Sequence, residues 1–315
     1  MTDATRLPPA TTRLSVARVW NAPISRSFRR SPAAVGGAIV LILLVGAALL
    51  APWIAITDPY ELATLDLLNS RLPPVWVEGG SWPYILGTDN QGADVLSLIL
   101  YGMRTSLLVG ILAVCVSCTL GTVLGLISGY LGGLVGVIIM RAADIQFTFP
   151  AILLALLIGG LSQALLPAHL QAELAIPILV GALGLSHWPH FARLVRGAVL
   201  VEKTKDYVDA ARLTGRGRWS IMFRHILPNV TNAIIVLATL DIAFAVMGEA
   251  TLSFLGFGLP PTEPSLGSLI RTGYNYLFSG EWWLVIFPAL TLVLLVMAVN
   301  LVGDWLRDAL NPQLD

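Results

Sequence analysis

The 315-residue chain is 56% hydrophobic and 12% charged, with a mean hydropathy of +0.78. A soluble domain carries about 25% charged residues, so the composition points to lipid as the main solvent. Basic and acidic residues balance at 19 each, which excludes a nucleic-acid partner held by bulk charge, and two cysteines exclude a disulfide framework.

A membrane-crossing helix needs about 20 mostly apolar residues. Residues 1–34 are polar and hold six arginines, Arg6, Arg13, Arg18, Arg26, Arg29 and Arg30. The first predicted span is Val35–Ile56, too long for a signal-peptide core and expected to be an uncleaved anchor. Residues 57–103 form a loop with six acids between Thr57 and Arg104 but only Arg71 and Arg104 as bases. Residues 104–315 are predicted to carry five more spans.

The second is Thr105–Ile127. It contains Cys115 and Cys118, read as packing residues because no second ligand pair accompanies them. Gly121, Gly125, Gly129 and Gly133 recur every four residues and predict a close-packed helix seam. The third span, Leu134–Gly159, holds Arg141 and Asp144 and is expected to kink at Pro150. The fourth, Leu174–Pro189, is short, and His187 and His190 are expected to form an interfacial pair at its end.

The loop from Phe191 to Asn229 has eight basic residues. Basic loops stay in the cytoplasm, so this loop and both termini are assigned there, which requires an even number of spans. The fifth span, Val230–Leu255, contains two acids. Asp241 lies about 17 Å past Val230, near mid-membrane, and Glu249 about 29 Å past it, near the outer face. An ionisable group at mid-depth normally faces a cavity or a partner, so Asp241 is a candidate for the translocation path, or else a structural pair. Glu249 shares the path candidacy, or else reaches interfacial water. The sixth span, Trp283–Val302, opens on Trp282 and Trp283 and is closed by Trp305, a belt spacing of about 33 Å.

Within the basic loop, Asp206 and Asp209 favour a helix N-terminus. Val208, Ala211 and Gly215 share a narrow face of small side chains, and Gly215 and Gly217 end the helix. Such a face suits a groove on another protein. The segment Asp209-Ala210-Ala211-x3-Gly215, nine residues, then His225-Ile226-Leu227-Pro228, resembles the EAA loop of ABC-importer permeases, with Asp209 for the usual Glu and His225 for the usual Ile. Three further stretches are similar to the dipeptide/oligopeptide/nickel branch of that family. They are Leu86-Gly87-Thr88-Asp89-x2-Gly92-x-Asp94-Val95-Leu96-Ser97 (with Ala93 for the usual Arg), Leu252-Ser253-Phe254-Leu255-Gly256-Phe257-Gly258, and Asn300-x2-Gly303-Asp304-x-Leu306-Arg307-Asp308-x-Leu310-Asn311-Pro312. The likeness extends from about Arg26 to Pro312.

The resemblance implies an all-α membrane protein of six transmembrane helices with the type I ABC importer permease fold, acting as the C-type subunit. It implies a multi-pass protein of the bacterial inner membrane, pairing with a homologous B-type permease, two ATP-binding subunits and a periplasmic peptide-binding protein. Residues 203–228, with Asp206, Asp209, Ala210, Ala211, Gly215, His225, Leu227 and Pro228, are implied to be the ATPase-coupling loop. The expected cargo is a dipeptide or oligopeptide, with nickel chelates, glutathione or opines as alternatives. No Gly-Lys-Ser/Thr occurs, so ATP and Mg are expected on the partners and no cofactor on this chain. A secondary transporter using Asp241 and Glu249 predicts inverted repeats that are not apparent. An intramembrane enzyme is disfavoured because Ser186 and His187 are adjacent and no His-Glu-x-x-His motif accompanies His187 and His190.

Overall fold

A computed structural model of the protein describes residues 23–61, 66–260 and 263–310. Arg6, Arg13, Arg18, Asn311 and Pro312, which figure in the expectations above, lie outside them. The described chain is helical: α1 (Pro23–Arg30), α2 (Pro32–Leu49), α3 (Val95–Leu131), α4 (Gly133–Thr148), α5 (Ala151–Leu165), α6 (Ala175–Glu202), α7 (Asp206–Leu213), α8 (Leu227–Leu255), α9 (Leu266–Tyr274) and α10 (Trp283–Ala309), with short helical turns between. Among the described residues four helical stretches are long and apolar enough to cross a membrane, and five if α4 and α5 count as one broken span.

Local chemistry sets the starts. Ser31 accepts the Ala34 amide at 3.3 Å and caps α2, with Pro32 in the first turn. Asp94 caps α3 by accepting the Ser97 amide at 2.8 Å and its hydroxyl at 2.6 Å, so α3 begins ten residues before the predicted span. Its unpartnered Oδ1 is buried, which raises the Asp94 pKa. The Phe28 ring meets Trp305 edge-on at 4.8 Å and ties α1 to α10.

The third predicted span is two helices. Phe149 is extended, as a residue before proline prefers, and α4 and α5 meet at 88° across Phe149–Pro150. The fourth does not stop at Pro189. Helix α6 runs through it to Glu202, because the Gln146 side-chain amide donates to the Leu185 carbonyl that proline cannot satisfy. The Gln146 oxygen in turn accepts the Trp188 indole N–H at 2.7 Å. Helix α6 falls short of the apolarity of a span, since His187, His190, Arg193 and Arg196 all lie along it. Pro228 does not follow a loop either. A π-helical turn, Ile221–Ile226, leads continuously into α8, and its wider spacing admits the ring.

Three of the four spaced glycines form the seam. Cβ atoms on Gly121, Gly125 and Gly129 would lie 2.5, 2.7 and 2.8 Å from Phe191 and Trp188, Ala192, and Val199 respectively, so α3 and α6 run parallel with backbones in contact. Gly133 is not part of it. Its φ of +53° opens α4, and nothing lies within 4 Å of a Cβ there. Helix α8 runs antiparallel to this pair, with Gly110 against Val246, and Gly303 of α10 meets Leu240 of α8. Since lipid gives helices no hydrophobic reason to associate, close packing at such small residues holds the bundle.

Candidate functional site

The segment expected to couple starts at α7, with Asp206 and Asp209 in its first turn where they complement the helix dipole. It ends in a Schellman turn. The Arg216 amide reaches the Ala211 carbonyl at 3.1 Å, the Gly215 amide reaches Arg212 at 3.0 Å, and Gly215 takes φ +73°. The small-residue face does not point outward as the spacing predicts. Val208 and Ala211 are buried in the chain's own core with Ile221 and Ile226, because the π turn folds back on that face. Gly215 is separated from them and open, with nothing within 4 Å of a Cβ.

The exposed face is the opposite one. Leu213 is 90% exposed and Trp219 61%, and Trp219 stacks on Phe223 at 6.1 Å between ring centres. Asp206, Asp209, Ala210, Arg216, Arg218 and Pro228 are exposed with them, while His225 and Leu227 are half-buried. Asp209 pairs with Arg212 at 2.8 Å on the surface. Tyr207 anchors the segment. Its hydroxyl donates to Glu202 at 2.8 Å and accepts from Asn229 at 3.3 Å, and burial together with Glu202 pushes its pKa up to about 12. Lys203 donates to the Gly129 carbonyl at 3.0 Å, tying the loop to the end of α3.

In the bundle, Asp241 is buried and spends both oxygens. His187 Nδ1 is 2.7 Å from Oδ1, and Ser117 donates to Oδ2 at 3.3 Å, so three helices meet there. The helix therefore runs on past the histidines. His187 lies within the bundle, and the His190 ring sits between it, tilted at 5.6 Å, and Phe147, edge-on at 4.8 Å. Breaking a buried pair from one side leaves an uncompensated polar group. Asp241→Asn and His187→Gln are each expected to lower the melting temperature of the purified protein. The double variant is expected to be no worse than the more damaging single, with a coupling of about 0.6–1.7 kcal/mol. Additive losses would show that the pair does not act as a unit.

Glu249 does not reach interfacial water. It is fully buried, and accepts hydroxyls from Ser106 at 2.6 Å and from Ser253 at 2.6 Å. Ser106 also accepts the Leu266 amide at 3.2 Å, so the carboxylate fastens α9 to α3 and α8. Cys115 and Cys118 are both free.

At the far end of α3 from α7, the 87–94 stretch is a loop braced by its own hydrogen bonds. Asp89 Oδ1 accepts the Gln91 and Ala93 amides, both at 2.8 Å, and burial raises its pKa. Asn90 reaches the Tyr276 hydroxyl at 3.2 Å, and Trp283 donates to the Thr88 carbonyl at 3.3 Å. This loop and α9 border an open cavity of about 670 Å³. Sequence reasoning missed it, because it forms between segments more than 160 residues apart, Asp89 and Arg271 among them.

Comparison with known proteins follows the same map. Residues 121–315 match the family model described as binding-protein-dependent transport system inner membrane component. Residues 22–74 match the N-terminal TM domain of oligopeptide transport permease C. The di/tripeptide transport system permease protein DppC of Pseudomonas aeruginosa is 40% identical over 92% of this chain and 91% of its own. The dipeptide transport system permease protein DppC of Escherichia coli K12 is 43% identical over 91% of each. Among solved structures, an inward-facing MetNI methionine ABC transporter chain matches with a TM-score of 0.52 at 20% identity, over 68% of this chain and 96% of that one, which shows a shared fold.

Proposed function

The chain belongs to the family of binding-protein-dependent transport system inner membrane components, and on that premise we propose that it imports dipeptides or short peptides as one of two permeases in an ATP-driven importer. The family and the apolar helices make it a multi-pass inner-membrane permease subunit. Peptide cargo is supported by the names of relatives about 40% identical along nearly the whole chain.

In this reading six segments cross the membrane: α2, α3, the α4–α5 pair, α6, α8 and α10. Their packing supports alternating directions, since α3 runs parallel to α6 and antiparallel to α8. Both termini and the 203–228 segment face the cytoplasm, as the arginine-rich loops favour. Residues 57–103 and α9 face the periplasm, where a binding protein delivers cargo. The second permease is a homologue, and two partner ATPases bind ATP and Mg.

The observation that carries the proposal is the outward face of α7 and the turn after it. Leu213, Trp219 and Phe223 stand exposed on a segment whose other face is locked into the bundle by Val208, Ala211 and Tyr207. A partner ATPase that moves this face moves α8 through the π turn and α3 through Lys203, which is how a local push becomes a switch between outward and inward states. Asp209, Ala210, Gly215, His225, Leu227 and Pro228 position that face. Asp241 and Glu249 hold the helices around the path.

Affinity purification of the tagged chain in mild detergent tests the assignment. Recovery of a homologous permease and one or two P-loop ATPases is expected. Recovery of this chain alone in stable homo-oligomers, with uptake indifferent to loss of any ATPase, would overturn it in favour of an ion-coupled carrier.

A further inference from the structure

The open cavity of about 670 Å³ is within the range of small-ligand sites. Polar and apolar residues share its lining about evenly, and among the described residues only Asp89 and Arg271 bring charge to it. The two charges are not equivalent. Asp89 Oδ1 is taken up by two backbone amides of its own loop, and Asp89 forms no ion pair with a described base. Arg271 forms no ion pair with any described carboxylate.

The guanidinium is nonetheless held in place. It lies against the bare face of Gly256, the residue with φ +92° that ends α8. A Cβ at that position would stand 2.4 Å from Nη1 and 2.8 Å from Cζ. The same glycine's carbonyl accepts the Gln163 side-chain Nε2–H at 3.2 Å, which braces the turn from α5. Asn275, four residues after Arg271, lines the cavity beside it and adds a neutral donor.

A planar guanidinium fork with no ion-pair partner among the described residues, at the wall of a partly apolar cavity, is built for a bidentate carboxylate. We infer that this cavity is a carboxylate subsite in which Arg271 receives the C-terminal carboxylate of a peptide as it leaves the delivering protein. The inference rests on the peptide-import reading above. An acidic side chain of the delivering protein offers the same chemistry, and kinetics separate the two sources. A peptide terminus held at Arg271 acts on the transport step, whereas a docking contact acts on the affinity between proteins.

The test uses the complete transporter in proteoliposomes, with Ala-Ala as probe and its loaded binding protein titrated. Arg271→Gln is expected to lower maximal Ala-Ala uptake at least tenfold, and Arg271→Lys to recover part of it. The binding-protein concentration giving half-maximal ATPase stimulation is expected to stay within twofold of wild type in both. The exposed position makes an unchanged melting temperature the expected control. A tenfold rise in that half-maximal concentration at unchanged maximal uptake would assign the carboxylate to the delivering protein and overturn the inference. So would uptake and stimulation both equal to wild type. Absence of ATP-driven Ala-Ala uptake by the wild-type transporter would instead remove the peptide reading itself, and this subsite with it.

Discussion

Glu249→Leu is expected to leave little folded protein in the membrane, whereas Glu249→Gln leaves most of it. The glutamate is fully buried and accepts hydroxyls from Ser106 and Ser253, both at 2.6 Å. Leucine fills a similar volume but accepts nothing. Each orphaned hydroxyl then costs about 1–3 kcal/mol, against a total stability of only about 5–15 kcal/mol. The damage also spreads. Ser106 holds the Leu266 amide at 3.2 Å, at the start of α9, where Ser265 and Ser268 cap each other's backbone. Losing the carboxylate frees α9 from α3 and α8, and with it the wall of the outer cavity. Glutamine keeps an acceptor and the volume. Size-exclusion profiles of the solubilised protein, with melting temperatures, measure both variants. A leucine variant as stable as wild type would mean that the serines find other acceptors.

Glu249 also shows where the sequence stopped being informative. Its depth along α8 follows from counting residues, and that count placed it near the outer face. Counting along one helix does not reveal that Ser106, 143 residues earlier, lies against it. The same gap explains the histidines. His187 and His190 mark the end of a hydrophobic run, so hydropathy alone ends the span there. The structure continues because Gln146 supplies the hydrogen bond that Pro189 cannot, and because His187 finds Asp241. Both rescues come from other helices.

What was legible was local or periodic. Glycines spaced by four named the α3 side of the α3–α6 seam, and Asp206, Asp209 and Gly215 marked the ends of α7. The orientation of α7 was the exception. Small residues on a helix signal close approach, and the approach here is to the chain's own π turn rather than to a partner. A narrow face of small side chains does not say which surface it meets.

Under the proposed coupling role, that reversal selects the substitution expected to uncouple the transporter. Leu213→Asp with Trp219→Ala is expected to reduce ATP-driven uptake more than tenfold while the chain stays folded and inserted. Both side chains face solvent, at 90% and 61% exposure, so the bundle loses no contact of consequence when they change. A partner ATPase that docks on this face loses an aromatic anchor and meets a buried charge, and few interface residues carry as much binding energy as a central Trp. Val208→Asp should behave differently. Val208 is fully buried beside Ile221 and Ile226, so a charge there destabilises the chain itself and lowers yield along with uptake. Measuring expression, ATPase recovery on purification and uptake together separates the cases. Intact yield with lost ATPase recovery for the Leu213 and Trp219 variant is the expected pattern. Full ATPase recovery and normal uptake from it would place the coupling contact elsewhere on the chain.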